Sequence, residues 1–196
     1  ELDDRDIVVT DLPQYAVASA SVLPDEFLPD QSHLTVYDQG SLGTCVAHQI
    51  ATEKQDQEFR EIGKSLEFSR RYLYSLARKL CGLPDTNEGL FPRMADKVLC
   101  DDGIALAETV PENAKNHAEY VAVALDDTII TNARKYRVSD NFVAVPVTEK
   151  DIKQSLITFK GIGCSLPYSP KWWNSLKNNE LGTPTGEGIE GWHRIR

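Results

Sequence analysis

The sequence predicts an α+β protein with two subdomains, because helical patterns come first along the chain and strand patterns follow. Apolar residues recur at helical spacing between residues 45 and 103, and strand candidates lie at 142–147 and 162–168. The character of the chain changes near 111–118, where we place the boundary. The expected parts are an N-terminal arm (1–30), a helical subdomain (31–115) and a β-rich subdomain (116–196).

The arm is predicted to be extended, not helical, because it contains Pro13, Pro24 and Pro29. Proline removes a backbone donor and clashes with the preceding turn of a helix. Its first residues are acidic and the rest are more apolar. We therefore expect an extended segment that precedes the helical subdomain.

Composition limits the classes of partner. The 196 residues carry a formal net charge of −9, with 41% apolar and 26% charged residues. That balance is typical of a soluble globular protein, and it argues against nucleic acid, which needs a basic face. No apolar run is long enough to cross a bilayer, so we expect no membrane partner. The basic pairs at 70–71 and 78–79 are interpreted as a solvated helix face.

Four cysteines occur, with no Cys-x-x-Cys spacing, which argues against a zinc site. We expect no metal and no cofactor. Four cysteines are also too few for a disulfide scaffold in a chain of this length.

The first helix is predicted to begin at Cys45 and to end near Gly63, with Phe59 and Ile62 continuing its apolar face. Thr44 is a candidate N-cap. Thiolate is favoured over thiol at the first turn of a helix, because unpaired N–H groups and the helix dipole stabilise negative charge there. Gln39, six residues earlier, could donate to an oxyanion that forms when the sulfur attacks a carbonyl.

Two further helices are predicted in the first half. One spans residues 66–80 and has Ser69 as its N-cap. The next has Pro92 near its first position, Phe91 on its buried face and Gly103 just past its end. In the second half, 119–134 is predicted as a helix or a helix pair. Thr148 caps a short helix that Gly161 ends.

The stretch around Cys45 resembles the papain-like cysteine peptidases, whose signature is Gln-Gly-x-Cys-Gly-Ser-Cys-Trp-Ala. The matching residues are Gln39, Gly40, Gly43, Cys45 and Ala47, and the departures are Leu42, Thr44 and Val46. The resemblance implies that Cys45 is the nucleophile and Gln39 part of the oxyanion hole. It also implies a papain-like fold, with a helical left subdomain around the helix that starts at Cys45 and an antiparallel β right subdomain. The alternative is that Cys45 is a small buried apolar residue at a helix start.

The resemblance continues at the C-terminal end. The glycine-rich stretch 182–191 precedes Trp192 and His193, as in family members, whose catalytic histidine follows such a loop. His193 lies 193 − 45 = 148 residues after Cys45, a spacing typical of these enzymes. The resemblance implies that His193 is the catalytic base and that Trp192 helps to wall the cleft. The other histidines are expected to be packed or at the surface.

The family also has a glycine-rich turn that presents backbone groups to the substrate. Glu88 and Gly89 occupy that turn here, and the alternative is a plain surface turn. A disulfide usually joins a cysteine three before the nucleophile to one just before this turn. Leu42 replaces the first cysteine, and none directly precedes Asn87, so we expect that bridge to be absent. If Cys45 is the nucleophile, at most one bridge can form among the other three.

The asparagine that orients the family's histidine follows it in an Asn-Ser-Trp run, but only three residues follow His193. Asn174 precedes His193, in reversed order, and is interpreted as part of a loop near the cleft. We therefore expect this chain to be a fragment or a partly ordered view of a longer one. The orienting asparagine would then lie beyond Arg196 or in a separate cleaved chain.

The resemblance implies a cysteine endopeptidase that acts on a peptide or protein, with a propeptide or an inhibitor as a further partner. Residues 1–20 are either a propeptide remnant, as expected of a zymogen, or a plain part of the N-terminal arm. One alternative is a catalytically weak or inactive protein of the same fold that binds peptides or serves a structural role. Another is an amide or acyl transferase with the same Cys–His pair. The compartment stays open, with an extracytoplasmic one favoured.

Overall fold

The computed structural model describes residues 7–15, 23–83, 89–138, 142–169 and 190–195. A 3-10 turn, Val9–Asp11, follows the first strand. In chain order the named elements are β1 (Ile7–Val8), α1 (Cys45–Ile62), α2 (Arg70–Leu80), α3 (Pro92–Asp101), α4 (His117–Val121), α5 (Asp127–Arg134), β2 (Val143–Ala144), α6 (Glu149–Phe159), β3 (Cys164–Tyr168) and β4 (Gly191–Ile195).

Helix α1 begins at Cys45 and ends as the sequence predicts. Gly63 takes φ +69° and donates its backbone N–H to Phe59, the left-handed ending that glycine favours. Thr44 stands at the N-cap position, but its side chain makes no capping hydrogen bond. The apolar face is buried in the first half of the helix, whereas Ile62 is 53% exposed, so the prediction that it continues this face is wrong.

Helix α2 has the predicted cap, since the Ser69 hydroxyl accepts the Tyr72 backbone N–H. The predicted solvated basic face is wrong. Arg70 and Arg78 are 5% and 0% exposed. Arg71 donates to the backbone carbonyls of Pro111, Glu119 and Tyr120. These arginines therefore join α2 to neighbouring segments.

Helix α3 starts at Pro92 and is followed by Gly103, as predicted. Gly103 has φ +80°, and a Cβ added there would lie 2.7 Å from the carbonyl carbon of Ala133 in α5. Glycine is thus required both by the backbone angle and by the close approach of α5. Phe91 is 63% exposed, so its predicted burial is wrong.

The segment 119–134 forms the predicted helix pair, α4 and α5. Asn116 and Asp126 cap these helices with their side-chain oxygens. Tyr120 and Ala133 belong to the same buried apolar cluster as the inner faces of α1, α2 and α3. This packing places α4 and α5 against the core of the first subdomain. The predicted subdomain boundary between residues 115 and 116 stays a prediction.

Strands β3 and β4 form an antiparallel pair in which Leu166 lies opposite His193. The strand predicted at 162–168 is therefore confirmed as Cys164–Tyr168. The other pairing differs from the predicted antiparallel β subdomain, because β2 pairs in parallel with β1 of the arm. The candidate at 142–147 shortens to two residues, and its partner is a distant segment that local patterns do not reveal.

The arm is only partly extended. Residues 13–15 are helical, because proline is tolerated in the first turn of a helix, so the expectation of an arm without helix is wrong there. The Tyr15 hydroxyl donates to Asp151 of α6. Helix α6 has Thr148 as its cap, as predicted, but ends at Lys160 with φ +67°, one residue before Gly161. Residues 7–15 of the arm therefore contact β2 and α6.

Helix α1 packs against α2 and α3 and also against β4. It is thus the element that connects the helical core with the β3–β4 pair. None of the helices in the described part of the chain is long and apolar enough to span a membrane.

Candidate active site

Cys45 is the first residue of α1 and is half-buried, in contact with the edge of the apolar core. Burial raises the pKa of the Tyr74 phenol, Arg78 opposes the rise, and the charge of a Cys45 thiolate adds to it. All four cysteines, including Cys45, are free thiols.

The loop before Cys45 is tightly turned. Gly40 has φ +59°, and its N–H donates to the Asp38 carboxylate at 2.8 Å. The Leu42 carbonyl accepts both the Thr44 N–H, at 2.8 Å, and the Gln39 side-chain Nε2, at 3.0 Å. These bonds fix the Gln39 amide, which carries two N–H donors, within the loop.

Gly89 lies beside this loop, since a Cβ added to it would be 3.7 Å from the Gly43 carbonyl oxygen. Its carbonyl accepts a hydrogen bond from Arg78, whose guanidinium lies 5.3 Å from the centre of the Tyr74 ring. A buried arginine thus ties the end of the predicted substrate turn to α2. Glu88, the other predicted residue of that turn, lies outside the described residues.

His193 stands in the middle of β4, and partial burial lowers the pKa of its imidazole. Trp192, opposite Pro167, is 68% exposed. The next residue, Arg194, donates from Nε to Gln49 Oε1 at 2.8 Å. Gln49 lies one helical turn after Cys45, so the strand of His193 packs on the helix of Cys45. The pairing of the imidazole with the sulfur stays a prediction.

The contact between α1 and β4 includes a third element. A Cβ added to Gly163, just before β3, would lie 2.5 Å from Gln49 Nε2 and 2.8 Å from Arg194 Nη2. Both neighbours are ends of flexible side chains, so a methyl group would displace them instead of clashing with backbone. Because Gly163 has no side chain, the Gln49–Arg194 hydrogen bond can occupy the space beside it.

Gly163→Ala is expected to lower the free energy of unfolding by about 1–2 kcal/mol, because the methyl group breaks the Gln49–Arg194 hydrogen bond. Urea unfolding of Gly163→Ala, Gln49→Ala and the double variant measures the coupling. We expect the cost of Gly163→Ala to shrink by at least half in the Gln49→Ala background. Strictly additive costs would contradict the close packing of these residues.

The other histidines are packed, as expected. His33 stacks on Phe59 with ring centres 4.0 Å apart and contacts Asp56 at 2.8 Å. His48 Nδ1 lies 3.0 Å from the Thr44 carbonyl, and burial lowers the pKa of its imidazole. The His117 ring meets the Tyr74 ring edge to face, with ring centres 6.0 Å apart.

Two residues that support the candidate site were missed from sequence. Arg78 was assigned to a solvated face, although Arg78 is fully buried and holds Gly89. Its position on the apolar side of α2, one turn after Tyr74, was the available signal. Gln49 carried no signal, because a polar residue on a helix reveals no distant partner.

Several predicted features fall outside the described residues, among them the loop 182–191, except its last two residues, and Asn174. Within the described ranges, no group of three or more histidine, cysteine or acidic side chains is arranged to hold a metal ion.

Neither a protein-family model nor a curated protein sequence matches the chain. Among solved structures, it is similar to xylellain, a cysteine protease from Xylella fastidiosa, with a TM-score of 0.72 and 24% sequence identity. The match covers 99% of this chain and 75% of xylellain. The chain has the fold of a cysteine protease. The mixture of a helical core and a smaller β part agrees with the α+β class predicted from the sequence.

Proposed function

We propose that the protein is a papain-like cysteine endopeptidase that hydrolyses peptide bonds through Cys45 and His193, with Gln39 in the oxyanion hole. The observation that carries the proposal is the position of Cys45. It is a free, half-buried thiol at the start of the 18-residue helix α1, directly after the loop that holds Gln39. Helix α1 is also the helix on which the strand of His193 packs. The fold shared with a cysteine protease supports the same conclusion.

In the proposed reaction, His193 accepts the proton of the Cys45 thiol, and the sulfur attacks the carbonyl carbon of the scissile peptide bond. The Cys45 backbone N–H and the Gln39 side chain stabilise the negative charge on the carbonyl oxygen. His193 donates a proton to the departing amine, and an acyl-enzyme thioester remains on Cys45. His193 then accepts a proton from the water that attacks the thioester, which releases the acid and restores the sulfur.

Substrate would lie along Gly89, whose backbone adjoins the Gly43 carbonyl, with Glu88 beside it in the chain. The buried Arg78 holds the Gly89 carbonyl, so this wall of the cleft would be rigid. The exposed indole of Trp192 would cover the opposite side, next to His193.

The proposal predicts that Cys45 is the most reactive thiol of the chain. Burial raises the pKa of Cys81, Cys100 and Cys164, so these three hold little thiolate near neutral pH. Alkylation by iodoacetamide, followed per cysteine by mass spectrometry at about pH 6, should label Cys45 first. A peptidyl fluoromethyl ketone should form an adduct at Cys45 and none in a folded His193→Ala variant.

If Cys45 is alkylated no faster than the other three cysteines, the activated nucleophile is disproved. Cys100→Ala is the matched control, since it removes a half-buried thiol outside the site and should leave the adduct at Cys45 unchanged.

Gln39→Ala is expected to lower kcat by about 10²–10³-fold and to change KM little, because one oxyanion donor acts mainly in the transition state. Steady-state kinetics on a fluorogenic peptide measure both constants. Gln57→Ala, a truncation of a glutamine on the outer side of α1, should change neither constant. A raised KM at unchanged kcat would make Gln39 a ground-state contact instead.

A second candidate is a protein of the same fold that binds peptides without cleaving them. The Gln39 side chain favours this binding protein, because Nε2 already donates a hydrogen bond to the Leu42 carbonyl and one of its two donors is thus not available to an oxyanion. The fluoromethyl ketone separates the two functions. A folded protein that binds peptides and forms no adduct at Cys45 would be a binding protein.

A further inference from the structure

A polar pocket lies beside the loop that precedes Cys45. Its volume is about 560 Å³, and its walls are the loop 37–44, the start of α2 and the segment 112–120. We call it the Arg70 pocket, because Arg70 is its most buried cation. Thr44, the residue before Cys45, and Gln39 both belong to its wall.

The Arg70 guanidinium forms ion pairs with Glu67 and Glu112, but two of its three nitrogens lack a hydrogen bond. Its side chain is only 6% exposed, and its face stacks on the Tyr37 ring at 3.7 Å. Nη2 reaches Glu67 at 3.5 Å, whereas the buried Nε and Nη1 atoms have no hydrogen-bond partner. The Glu112 carboxylate is 3.7 Å from Nε, which is beyond hydrogen-bond distance. Buried donors of this kind are costly unless an acceptor meets them.

The acceptors around the pocket are already engaged. Glu112 Oε1 accepts from the Ser69 hydroxyl and the Arg71 N–H, and Oε2 accepts from the Tyr120 hydroxyl. The Asp38 carboxylate accepts the N–H of Gly40.

The groups that remain are donors. Besides Arg70, the hydroxyls of Tyr37 and Thr44 are buried without a partner. All three of these residues line the pocket. A ligand that matches these groups offers hydrogen-bond acceptors, and a carboxylate fits a guanidinium edge best.

We propose that the Arg70 pocket binds the free C-terminal carboxylate of a peptide. Thr44 of the pocket wall directly precedes Cys45 in the chain, so a peptide that crosses Cys45 could place its end here. The identity of the ligand as a peptide rests on the proposed function, whereas the carboxylate chemistry rests on the donors of the pocket alone. Peptides that end shortly after the scissile bond would therefore bind more tightly than longer ones, which the same cleft would still cleave internally as the proposed endopeptidase.

The test uses the full chain with Cys45→Ala, so that no peptide is cleaved. Two peptides of one sequence, one ending in a carboxylate and the other in a carboxamide, are titrated by calorimetry. We expect the acid to bind at least about tenfold more tightly, as a charge-assisted hydrogen bond implies. Arg70→Gln in the same background should remove the difference, and Lys97→Gln, which changes an exposed cation on α3, should keep it.

Equal affinity for acid and amide, or binding of neither, overturns the proposal, and this comparison needs no substitution at Arg70. If Arg70→Gln fails to fold, Arg70→Lys takes its place and should reduce the preference at least threefold. Inorganic phosphate is the third probe. Phosphate binding that depends on Arg70, with no preference between the peptides, would indicate a free-anion site and overturn the peptide proposal. A preference for the acid in a protein without peptidase activity would uphold the pocket and refute the proposed function.

Discussion

His193→Ala and Cys45→Ala are each expected to lower kcat for peptide hydrolysis by a factor on the order of 10⁶. The sulfur needs the imidazole as its proton partner, and the imidazole has no covalent role without the sulfur. The two groups act as a unit, so the double variant should be no slower than either single variant. Initial rates on a fluorogenic peptide, with active-site titration of the wild-type protein, measure the loss.

The matched control is His33→Gln. His33 is a packed histidine that stacks on Phe59 and contacts Asp56. Both partners lie in the second half of α1, whereas Cys45 is its first residue. The His33→Gln variant should lose stability but keep its kcat when assayed below its unfolding temperature. A His193→Ala variant with wild-type kcat would show that another group accepts the proton, and it would remove His193 from the mechanism.

Gly103→Ala is expected to lower the free energy of unfolding by more than about 4 kcal/mol, an exceptional cost for one methyl group. The new Cβ would overlap the backbone carbonyl of Ala133 in α5, which cannot rotate away as a side chain can. The φ of +80° adds further strain. Urea unfolding followed by circular dichroism measures the loss.

Gly63→Ala separates the two causes. Gly63 has a similar φ of +69°, but a Cβ there would meet nothing within 4 Å. Gly63→Ala should therefore lower the free energy of unfolding only by the strain of a left-handed backbone, about 1–2 kcal/mol. If both variants lose the same amount, the close approach of α5 to Gly103 contributes nothing.

Local features of the fold were predictable from sequence because they depend on neighbouring residues. Ser69 and Thr148 cap their helices through backbone N–H groups three residues later, and Gly63 ends α1 within one turn. The start of α1 at Cys45 was predictable in the same way, and the roles of Cys45 and Gln39 stay predictions. Interactions between residues within about ten positions of each other leave a recognisable pattern in the sequence.

Features that join distant segments were not predictable. The burial of Arg78 depends on Gly89 and Tyr74, and periodicity marks a position as inward without showing that a cation can occupy it. The Gln49–Arg194 hydrogen bond joins residues 145 apart. The strand pattern at 142–147 indicated a strand but not its partner, because strand pairing is set by tertiary contacts.

The pairing of β1 with β2 has a consequence for the order of folding during synthesis. Ile7 pairs with Val143, and Tyr15 meets Asp151 at a separation of 136 residues. The ribosome makes about 5–20 residues per second, so the arm waits for roughly 7–27 seconds before its partners exist. Helices α1 to α3 can pack in that interval, because their contacts are closer in sequence. The residues of this arm are made before the helices and are thus among the last to find their native contacts.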